Sequence, residues 1–367
     1  MKVSFLCENV DKKINLVNHS VSSKPQLPIL LNFLLKTEKG KFKISGTDLE
    51  IGIEVEVPAS IEEEGSITVP AKLFYEIISG IGSGKVNLHT EGETLHLKTS
   101  KIKTSFQTIK AEEFPKLYDE KGDVIGKFKK EDIEKNIPGV VFASSQDTGR
   151  PALSGVLLGK EKNNNFFMVA TDGYRLSIRK KGEEKEDGKN YLIPSRIIRE
   201  LVLLKEKEDF MVYISDKSSQ VILEQEGILI AGRLIEAEFP NYQKIIPEDF
   251  SSKITGDKEE MLSAVKTCSI FARESANIVK FSLEKKKLVI SSDAPSIGET
   301  TVDVEGVLEG EENEIAFNSR YVLDFLTNTS GERVILEMTG PLNPGAFKIE
   351  GDKDYLHIIM PIRVQEA

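Results

Sequence analysis

The chain alternates between two hydrophobic periods along its length. In several stretches apolar residues recur every three or four positions, as Ile14, Val17 and Val21 do, which is typical of an amphipathic helix. Such helices are predicted over residues 11–22, 131–144 and 258–273. Elsewhere apolar and polar residues alternate, which predicts strands, with hairpin turns at residues 38–40, 162–165 and 284–287. The pattern therefore predicts an α+β protein.

The same order of elements occurs three times. Copies of one strand-to-helix segment occupy residues 67–78, 191–202 and 315–326. Pro70, Pro194 and Asn318 mark the start of the short helix in each copy, and they lie 124 residues apart. Pro70 and Pro194 are expected in the first helical turn, where a missing N–H group is harmless. An internal repeat of this length predicts tandem copies of one domain.

Other landmarks keep nearly the same period. The pair Thr47 and Asp48 matches Thr171 and Asp172, again 124 residues further on. Three domains are therefore predicted, over residues 1–122, 123–248 and 249–367. Duplication by itself dictates no function, because a repeated fold can serve many purposes.

Composition narrows the class of protein. A formal net charge of −10 argues against a conventional duplex-binding protein that neutralises many phosphates. The only cysteines are Cys7 and Cys268, which share no metal or redox spacing, so a reducing cytoplasmic location is expected. The first residues contain no apolar run of signal-peptide length, and no apolar stretch approaches the length of a membrane span.

An enzyme is the first alternative. It would use Asp48, Asp172 and Asp293 as repeated carboxylates, but one carboxylate per domain does not converge on a single site. The four histidines, His19, His89, His96 and His357, show no metal-ligand spacing. No phosphate-binding loop or nucleophile motif is present. We therefore expect a protein without catalytic residues, metal or cofactor.

Several local sequences occur in an order typical of one family. They are residues 25–30 (PQLPIL), 46–50 (GTDLE), 68–71 (TVPA), 150–155 (RPALSG), 170–176 (ATDGYRL), 238–242 (EFPNY) and 360–363 (MPIR). The ordered set, which spans essentially the whole chain, resembles the bacterial DNA polymerase III β subunit family, the sliding clamps. The resemblance implies three tandem clamp domains, with helices lining a central hole and antiparallel sheets outside. It also implies a head-to-tail homodimeric ring that encircles duplex DNA and confers processivity.

In that family, partner proteins bind through short peptide motifs. The resemblance implies that the pocket for these peptides is formed by Leu153, Thr171, Gly173, Tyr174, Arg175, Leu176, Pro240, Lys244, Ile245, Met360, Pro361, Ile362 and Arg363. Leucine, isoleucine and methionine side chains would offer an adaptable apolar surface, with Arg175 and Lys244 at the rim. The implied partners are the DNA polymerase III α subunit, the clamp loader δ subunit and other proteins that carry the clamp motif.

The resemblance also implies contacts with DNA and with a second copy of the chain. The expected DNA-contacting residues are Lys24, Lys72, Gln146, Arg150 and Arg196. Arg199, in the same helix as Arg196, and Arg320, in the equivalent helix of the third repeat, add positive charge. A closed ring would hold DNA by topology despite the acidic composition. The expected dimer interface contains Phe106, Ile270 and Phe271. The second alternative is a three-repeat scaffold that binds short peptide motifs without DNA.

Overall fold

The computed structural model describes residues 1–22, 27–147, 149–162, 165–180, 182, 188–204, 208–295 and 298–363. The α-helices within these ranges are α1 (Cys7–Asn18), α2 (Ala71–Ile81), α3 (Pro138–Val141), α4 (Ser195–Leu203), α5 (Lys258–Ala272) and α6 (Ser319–Asn328). Among the described residues no helix is long and apolar enough to cross a membrane.

Strands make up most of the remaining regular structure. They are β1 (Lys2–Leu6), β2 (Asn32–Glu38), β3 (Lys41–Thr47), β4 (Ile51–Val57), β5 (Ala59–Glu63), β6 (Gly65–Pro70), β7 (Lys85–Glu91), β8 (Thr94–Lys98), β9 (Lys103–Gln107), β10 (Asp123–Phe128), β11 (Gly155–Lys160), β12 (Phe166–Thr171), β13 (Arg175–Arg179), β14 (Tyr191–Pro194), β15 (Phe210–Ser215), β16 (Gln220–Gln225), β17 (Ile228–Arg233), β18 (Ser252–Asp257), β19 (Ile278–Glu284), β20 (Lys287–Ala294), β21 (Gly298–Gly310), β22 (Asn313–Asn318), β23 (Arg333–Met338), β24 (Gly345–Ile349) and β25 (Asp352–Ile359).

The chain divides into two compact units. Unit 1 comprises Met1–Lys130 and Leu203–Leu234. Its sheets have the orders β5-β1-β7-β8-β9 and β10-β15-β16-β17-β4-β3-β2-β6. Strand β17 pairs antiparallel with β4, so a strand from the second sequence repeat extends the sheet of the first. Helices α1 and α2 pack against each other in this unit.

Unit 2 comprises Glu131–Val202 and Ile235–Ala367. Its described strands form one sheet in the order β14-β11-β12-β13-β25-β24-β23-β18-β21-β20-β19-β22. The antiparallel pair β13 and β25 joins the second and third repeats within this sheet. Helices α5 and α6 pack together over a core that contains Phe281, Phe317 and Phe325.

Two of the three predicted amphipathic helices are present, with differences at their ends. Helix α1 begins at Cys7, four residues before the predicted start at residue 11. The helix predicted over residues 131–144 is interrupted: a π-helical turn spans Asp132–Asn136 and α3 follows. Pro138 has no N–H to donate, so the regular pattern of helical hydrogen bonds cannot continue through this position. Helix α5 closely matches its prediction, and the Asp257 side chain caps it by accepting from the Glu260 N–H.

The repeat landmarks lie one residue outside the helices. Pro70 and Pro194 are the last residues of β6 and β14, and α2 and α4 begin directly after them. Their expected place in the first helical turn is therefore wrong by one position. Asn318 holds the equivalent place before α6, where its side chain accepts a hydrogen bond from the Arg320 N–H.

Two of the predicted hairpin turns are confirmed. Strands β2 and β3 are joined through Lys39 and Gly40, both of which have positive φ. Strands β19 and β20 pair from Glu284 and Lys287 outward, which leaves a two-residue turn. The third turn, between β11 and β12, falls partly outside the described residues, although the two strands pair antiparallel.

His357 lies in the core of unit 2 and is fully buried. Its ring stacks on Phe325 at a centroid distance of 5.2 Å, and its Nδ1 lies 2.7 Å from the Ser177 Oγ. Burial, with a smaller effect from the Arg175 charge, lowers the pKa of His357 well below its usual value. The folded protein therefore holds this imidazole in its neutral form.

This burial predicts a pH dependence of stability. The neutral His357 contributes stability that is present above about pH 6.5, the usual histidine pKa, and is lost as the pH falls toward the lowered folded pKa. As the pH falls, the free energy of unfolding should decrease by at most about 1.4 kcal/mol per pH unit. Urea unfolding of the wild type and of His357→Gln between about pH 7 and pH 5 measures it, because the variant lacks this titration. Parallel pH profiles for the two proteins would contradict the assignment.

Candidate functional site

The predicted peptide-binding residues come together where β13 and β25 pair in unit 2. Arg175 lies opposite Ile359 in the antiparallel register, and Leu176 lies opposite Ile358. Just beyond the strand end, the Met360 N–H donates to the Tyr174 carbonyl over 2.9 Å. Backbone pairing therefore places residues 360–363 beside the turn that precedes β13.

That turn is fixed by its own side chains. The Thr171 Oγ1 donates to the Arg175 carbonyl over 2.6 Å and accepts from the Gly173 N–H over 3.0 Å. The Asp172 Oδ1 accepts from the N–H groups of Tyr174 and Arg175, at 2.9 and 3.0 Å. Gly173 has a φ of +93°, which a side chain would strain. Tyr174 is thereby held outward, with 57% of its surface exposed.

The same turn occurs in the first repeat. The Asp48 Oδ1 accepts from the N–H groups of Glu50 and Ile51, and the Thr47 Oγ1 donates to the Ile51 carbonyl. Asp48 and Asp172 thus hold equivalent turns. Two of the three carboxylates of the enzyme alternative, Asp48 and Asp172, thus have a structural role.

Arg175 is an internal anchor of this site. Its side chain is 9% exposed, and its guanidinium donates to Asp172 Oδ2 at 3.1 Å and to Asp324 Oδ2 at 2.6 Å. It also donates to the Phe142 carbonyl at 3.0 Å and lies over the Tyr321 ring at 4.7 Å. The expectation that Arg175 holds polar groups at the rim is therefore wrong, because its donors are committed inside the protein.

Leu176 is also internal. It is fully buried in a cluster with Phe167 and Ile358, since its side chain lies on the inner face of β13. The expectation that Leu176 contributes exposed apolar surface is therefore wrong in this conformation. The exposed apolar residues of the site are instead Tyr174, Ile245 and Met360, the last with 37% of its surface exposed.

Residues 239–246 border the site from the connection between the second and third repeats. Phe239 and Tyr242 pack edge to face, with ring centroids 6.3 Å apart, against the cluster that contains Leu176. This packing leaves Pro240, Lys244 and Ile245 exposed. A neighbouring cavity of about 400 Å³ is lined by Phe239, Pro240, Tyr242, Leu157, Leu192 and Ile235, among others.

Two residues of this site are not among those predicted from the sequence. Tyr321 stacks on Tyr174, with ring centroids 6.4 Å apart, and Asp324 forms the 2.6 Å ion pair with Arg175. Both lie on α6, in the third copy of the repeated strand-to-helix segment. The repeat located this helix, but nothing in its local sequence indicated which neighbour it packs against.

The described residues proposed to contact DNA, taken together with Arg320, fall into two groups. Lys72, Arg196 and Arg320 are each the second residue of α2, α4 and α6, and all three are exposed. Gln146 and Arg150 lie in an exposed loop, where Arg150 Nε is 3.3 Å from Asp147 Oδ2. Lys24 lies outside the described residues.

Arg199 differs from the other helix cations. Its Nη2 donates to the Ser144 Oγ at 3.0 Å, and burial together with the nearby Arg175 charge lowers its pKa. Arg199 therefore joins α4 to the end of α3, and its expected contribution to an exposed basic surface is wrong.

The three predicted interface residues have different environments. Phe106 lies on β9, at one edge of its sheet, but its ring is buried in unit 1 and packs edge to face on Phe74 at 5.9 Å. In unit 2, Ile270 has 61% of its surface exposed near the end of α5, and Phe271 is half-buried. In the single chain, Ile270 alone of the three is an exposed apolar side chain.

Two of the four histidines, which show no metal-ligand spacing along the sequence, lie close together in the structure. His89 and His96 face each other across β7 and β8, and Glu91 lies beside both. A spacing of seven residues does not match a common metal motif, so only strand pairing brings these ligands together.

Three family models match the chain in consecutive order. They describe the N-terminal, central and C-terminal domains of the DNA polymerase III beta subunit, and they match residues 1–118, 127–241 and 243–363. The chain is 28% identical over 360 residues to a Staphylococcus aureus protein named beta sliding clamp, with 94% of each chain covered. It is 27% identical over 377 residues to the Bacillus subtilis protein of that name, with 99% of this chain and 100% of the other covered.

Solved structures show the same similarity. The DNA polymerase sliding clamp from Bacillus subtilis superposes with a TM-score of 0.91 at 27% identity, with 100% of both chains covered. The DNA polymerase III beta subunit from Thermotoga maritima gives a TM-score of 0.89 at 26% identity, with 99% of this chain and 100% of the other covered.

Proposed function

The chain belongs to the DNA polymerase III β subunit family, and we propose that it is a sliding clamp that encircles duplex DNA and tethers the replicative polymerase. The observation that carries this proposal is the ordered match of three clamp-domain models along nearly the whole chain. In this function the protein is non-catalytic and needs no cofactor. Its contribution to synthesis is to keep the polymerase at the primer end.

A ring requires two copies of the chain. Three domains per chain, at residues 1–122, 123–248 and 249–367, give six in a head-to-tail homodimer, with helices around the hole and sheets outside. Each interface of such a dimer joins two different surfaces of the chain. The ring closes only if the rotation that relates one copy to the next completes a circle. Ile270 and Phe271 supply one of these surfaces, and the edge strand β9 with Phe106 supplies the other.

Topology explains how an acidic chain holds DNA. A net charge of −10 is unfavourable for direct binding, whereas an enclosed duplex cannot leave sideways. The repeated position shared by Lys72, Arg196 and Arg320 supports a basic lining of the hole. Gln146 and Arg150 would add loop contacts, as would Lys24.

The partner site is the surface around Tyr174, Ile245 and Met360, bordered by Leu153, Pro240, Lys244 and residues 361–363. Thr171, Gly173, Arg175 and Leu176 support it from inside. Burying one leucine or phenylalanine of a partner peptide gains roughly 1.5–3 kcal/mol before ordering costs. Binding would therefore be weak and exchangeable, which suits successive use by the polymerase α subunit, the clamp loader δ subunit and other motif-bearing proteins.

A cytoplasmic location agrees with the cysteines. Cys7 and Cys268 are both buried free thiols, and burial raises the pKa of each to about 11. They therefore remain protonated and unreactive at neutral pH. With both cysteines present as free thiols, the protein has no disulfide that would require an oxidising compartment.

Met360→Ala is predicted to weaken partner binding without unfolding the chain. Removing this exposed anchor should reduce the affinity for a fluorescent Gln-x-Leu-x-Phe peptide by about 1–3 kcal/mol, measured by anisotropy. Primer extension with the loader and polymerase should give shorter products in parallel. Met360 is preferred to Leu176 for this test, because truncating a buried leucine also creates a cavity.

Leu73→Ala is the matched control, since Leu73 is an exposed leucine on α2 of unit 1. It should leave peptide affinity and product length unchanged. Equal peptide affinity in the wild type and Met360→Ala, with folding confirmed by circular dichroism, would place the partner site elsewhere.

The double variant Ile270→Asp with Phe271→Asp is predicted to open the dimer. Two carboxylates at an apolar seam would lose their hydration without a partner charge, which is strongly unfavourable. Sedimentation velocity at low concentration should show a dimer of the 40.9 kDa chain for the wild type and a monomer for the variant.

The control Leu342→Asp places one carboxylate at an exposed leucine of unit 2 outside the proposed interface and should remain dimeric. Phe106 is unsuitable for this test, because its buried ring also stabilises unit 1. A dimeric mass for the double variant would refute the assigned seam.

A further inference from the structure

The hairpin formed by β7 and β8 carries a cluster of side chains that the clamp function does not use. His89 and His96 are directly opposed in the antiparallel register, and Glu91 lies two residues after His89 on the same face of β7. The turn consists of Gly92 and Glu93, and Gly92 has the positive φ expected at the first position of a tight hairpin turn. Strand pairing thus places two imidazoles and a carboxylate on one surface.

The distances between the ligand atoms of the cluster are close to those between the ligands of one metal ion. The His89 Nε2 lies 3.4 Å from one Glu91 carboxylate oxygen, and the His96 Nε2 lies 3.8 Å from the other. The imidazole rings stack with centroids 4.8 Å apart and an interplanar angle of 17°. The three ligand atoms all lie within 4.8 Å of one another, and both histidines are partly exposed, so an ion can reach them.

We propose that His89, Glu91 and His96 form a binding site for a divalent transition-metal ion of the zinc class. Imidazole nitrogens with one carboxylate are a ligand set that Zn²⁺ accepts, whereas Mg²⁺ and Ca²⁺ prefer oxygen ligands alone. Three protein ligands leave a fourth tetrahedral position for water. Zinc binding requires only small side-chain rotations, because metal–nitrogen and metal–oxygen bonds of about 2.0–2.2 Å bring ligand atoms to comparable separations.

The backbone around the site is already fixed. Strand β1 pairs with β7 on one side, and β9 pairs with β8 on the other. The nearest cation in the register is Lys2, which lies opposite His89, but its Nζ forms a 2.6 Å ion pair with Glu62. Little conformational freedom is therefore lost on binding, and Lys2 has its own counter-charge.

A bound ion would crosslink β7 and β8 next to the edge strand β9. Because the ion binds only the folded hairpin, it stabilises the folded state in proportion to the logarithm of its concentration over Kd. The site would thus strengthen this edge of unit 1 without contributing to catalysis or to the partner site.

The test is calorimetric titration of the metal-free full-length protein with ZnCl₂, alongside His89→Gln, His96→Gln and the control His19→Gln. The wild type and His19→Gln should bind one Zn²⁺ per chain and show a raised melting temperature. Loss of a coordinating histidine should weaken Kd by at least about tenfold, since even an outer-shell partner contributes that much. MgCl₂ should produce neither heat nor stabilisation.

Cobalt gives a second readout that does not depend on how the variants fold. Co²⁺ in the wild type should develop the visible absorption of a tetrahedral nitrogen-ligated site, and Zn²⁺ should displace it. Unchanged Zn²⁺ affinity in both histidine variants would overturn the proposal. An octahedral Co²⁺ spectrum identical to that of the free ion would also overturn it.

Discussion

Antiparallel pairing between strands of different repeats is the constraint on which the rest of this structure depends. In unit 1, β4 of the first repeat pairs with β17 of the second. In unit 2, β13 of the second repeat pairs with β25 of the third. An unpaired strand edge leaves N–H and C=O groups without partners, so each repeat completes its sheet with a neighbour. Each repeat therefore shares a sheet with the next repeat along the chain.

The proposed partner site is a direct consequence of the second pairing. Residues 171–176 and 360–363 belong to different repeats, and they meet because β13 and β25 share a register. Arg175 then links both sides to α6 through Asp324 and Tyr321. The site thus combines a turn that is held by hydrogen bonds from its own side chains with a few exposed apolar side chains. Such a surface would hold its shape while the proposed partners exchange.

Features with local causes were predictable from the sequence. The helical spacing located α5, and the positive-φ residues Lys39 and Gly40 coincide with a predicted turn. The 124-residue period located the three strand-to-helix segments, because each copy keeps its own apolar pattern. The break at Pro138 also had a local cause, but the apolar pattern continued through it and concealed the interruption.

Features with distant causes were not predictable. The sequence predicts Arg175 at the rim, and only the packing of α6 and Phe142 shows that its charge is used internally. Leu176 and Phe106 are apolar residues in strands where apolar and polar residues alternate. The sequence does not say which face of each strand is buried by the rest of the protein. The cluster of His89 and His96 depends on the register of one hairpin, which a seven-residue spacing does not reveal.

The central claim is that the protein holds DNA by enclosing it. The most direct measurement loads labelled protein onto closed circular DNA, removes free protein, and then cuts the circle at one site. Enclosure predicts that the protein stays on the intact circle at raised salt, leaves after the cut, and stays again when both ends are blocked by bound protein. Equal retention on circular and open linear DNA would contradict the account.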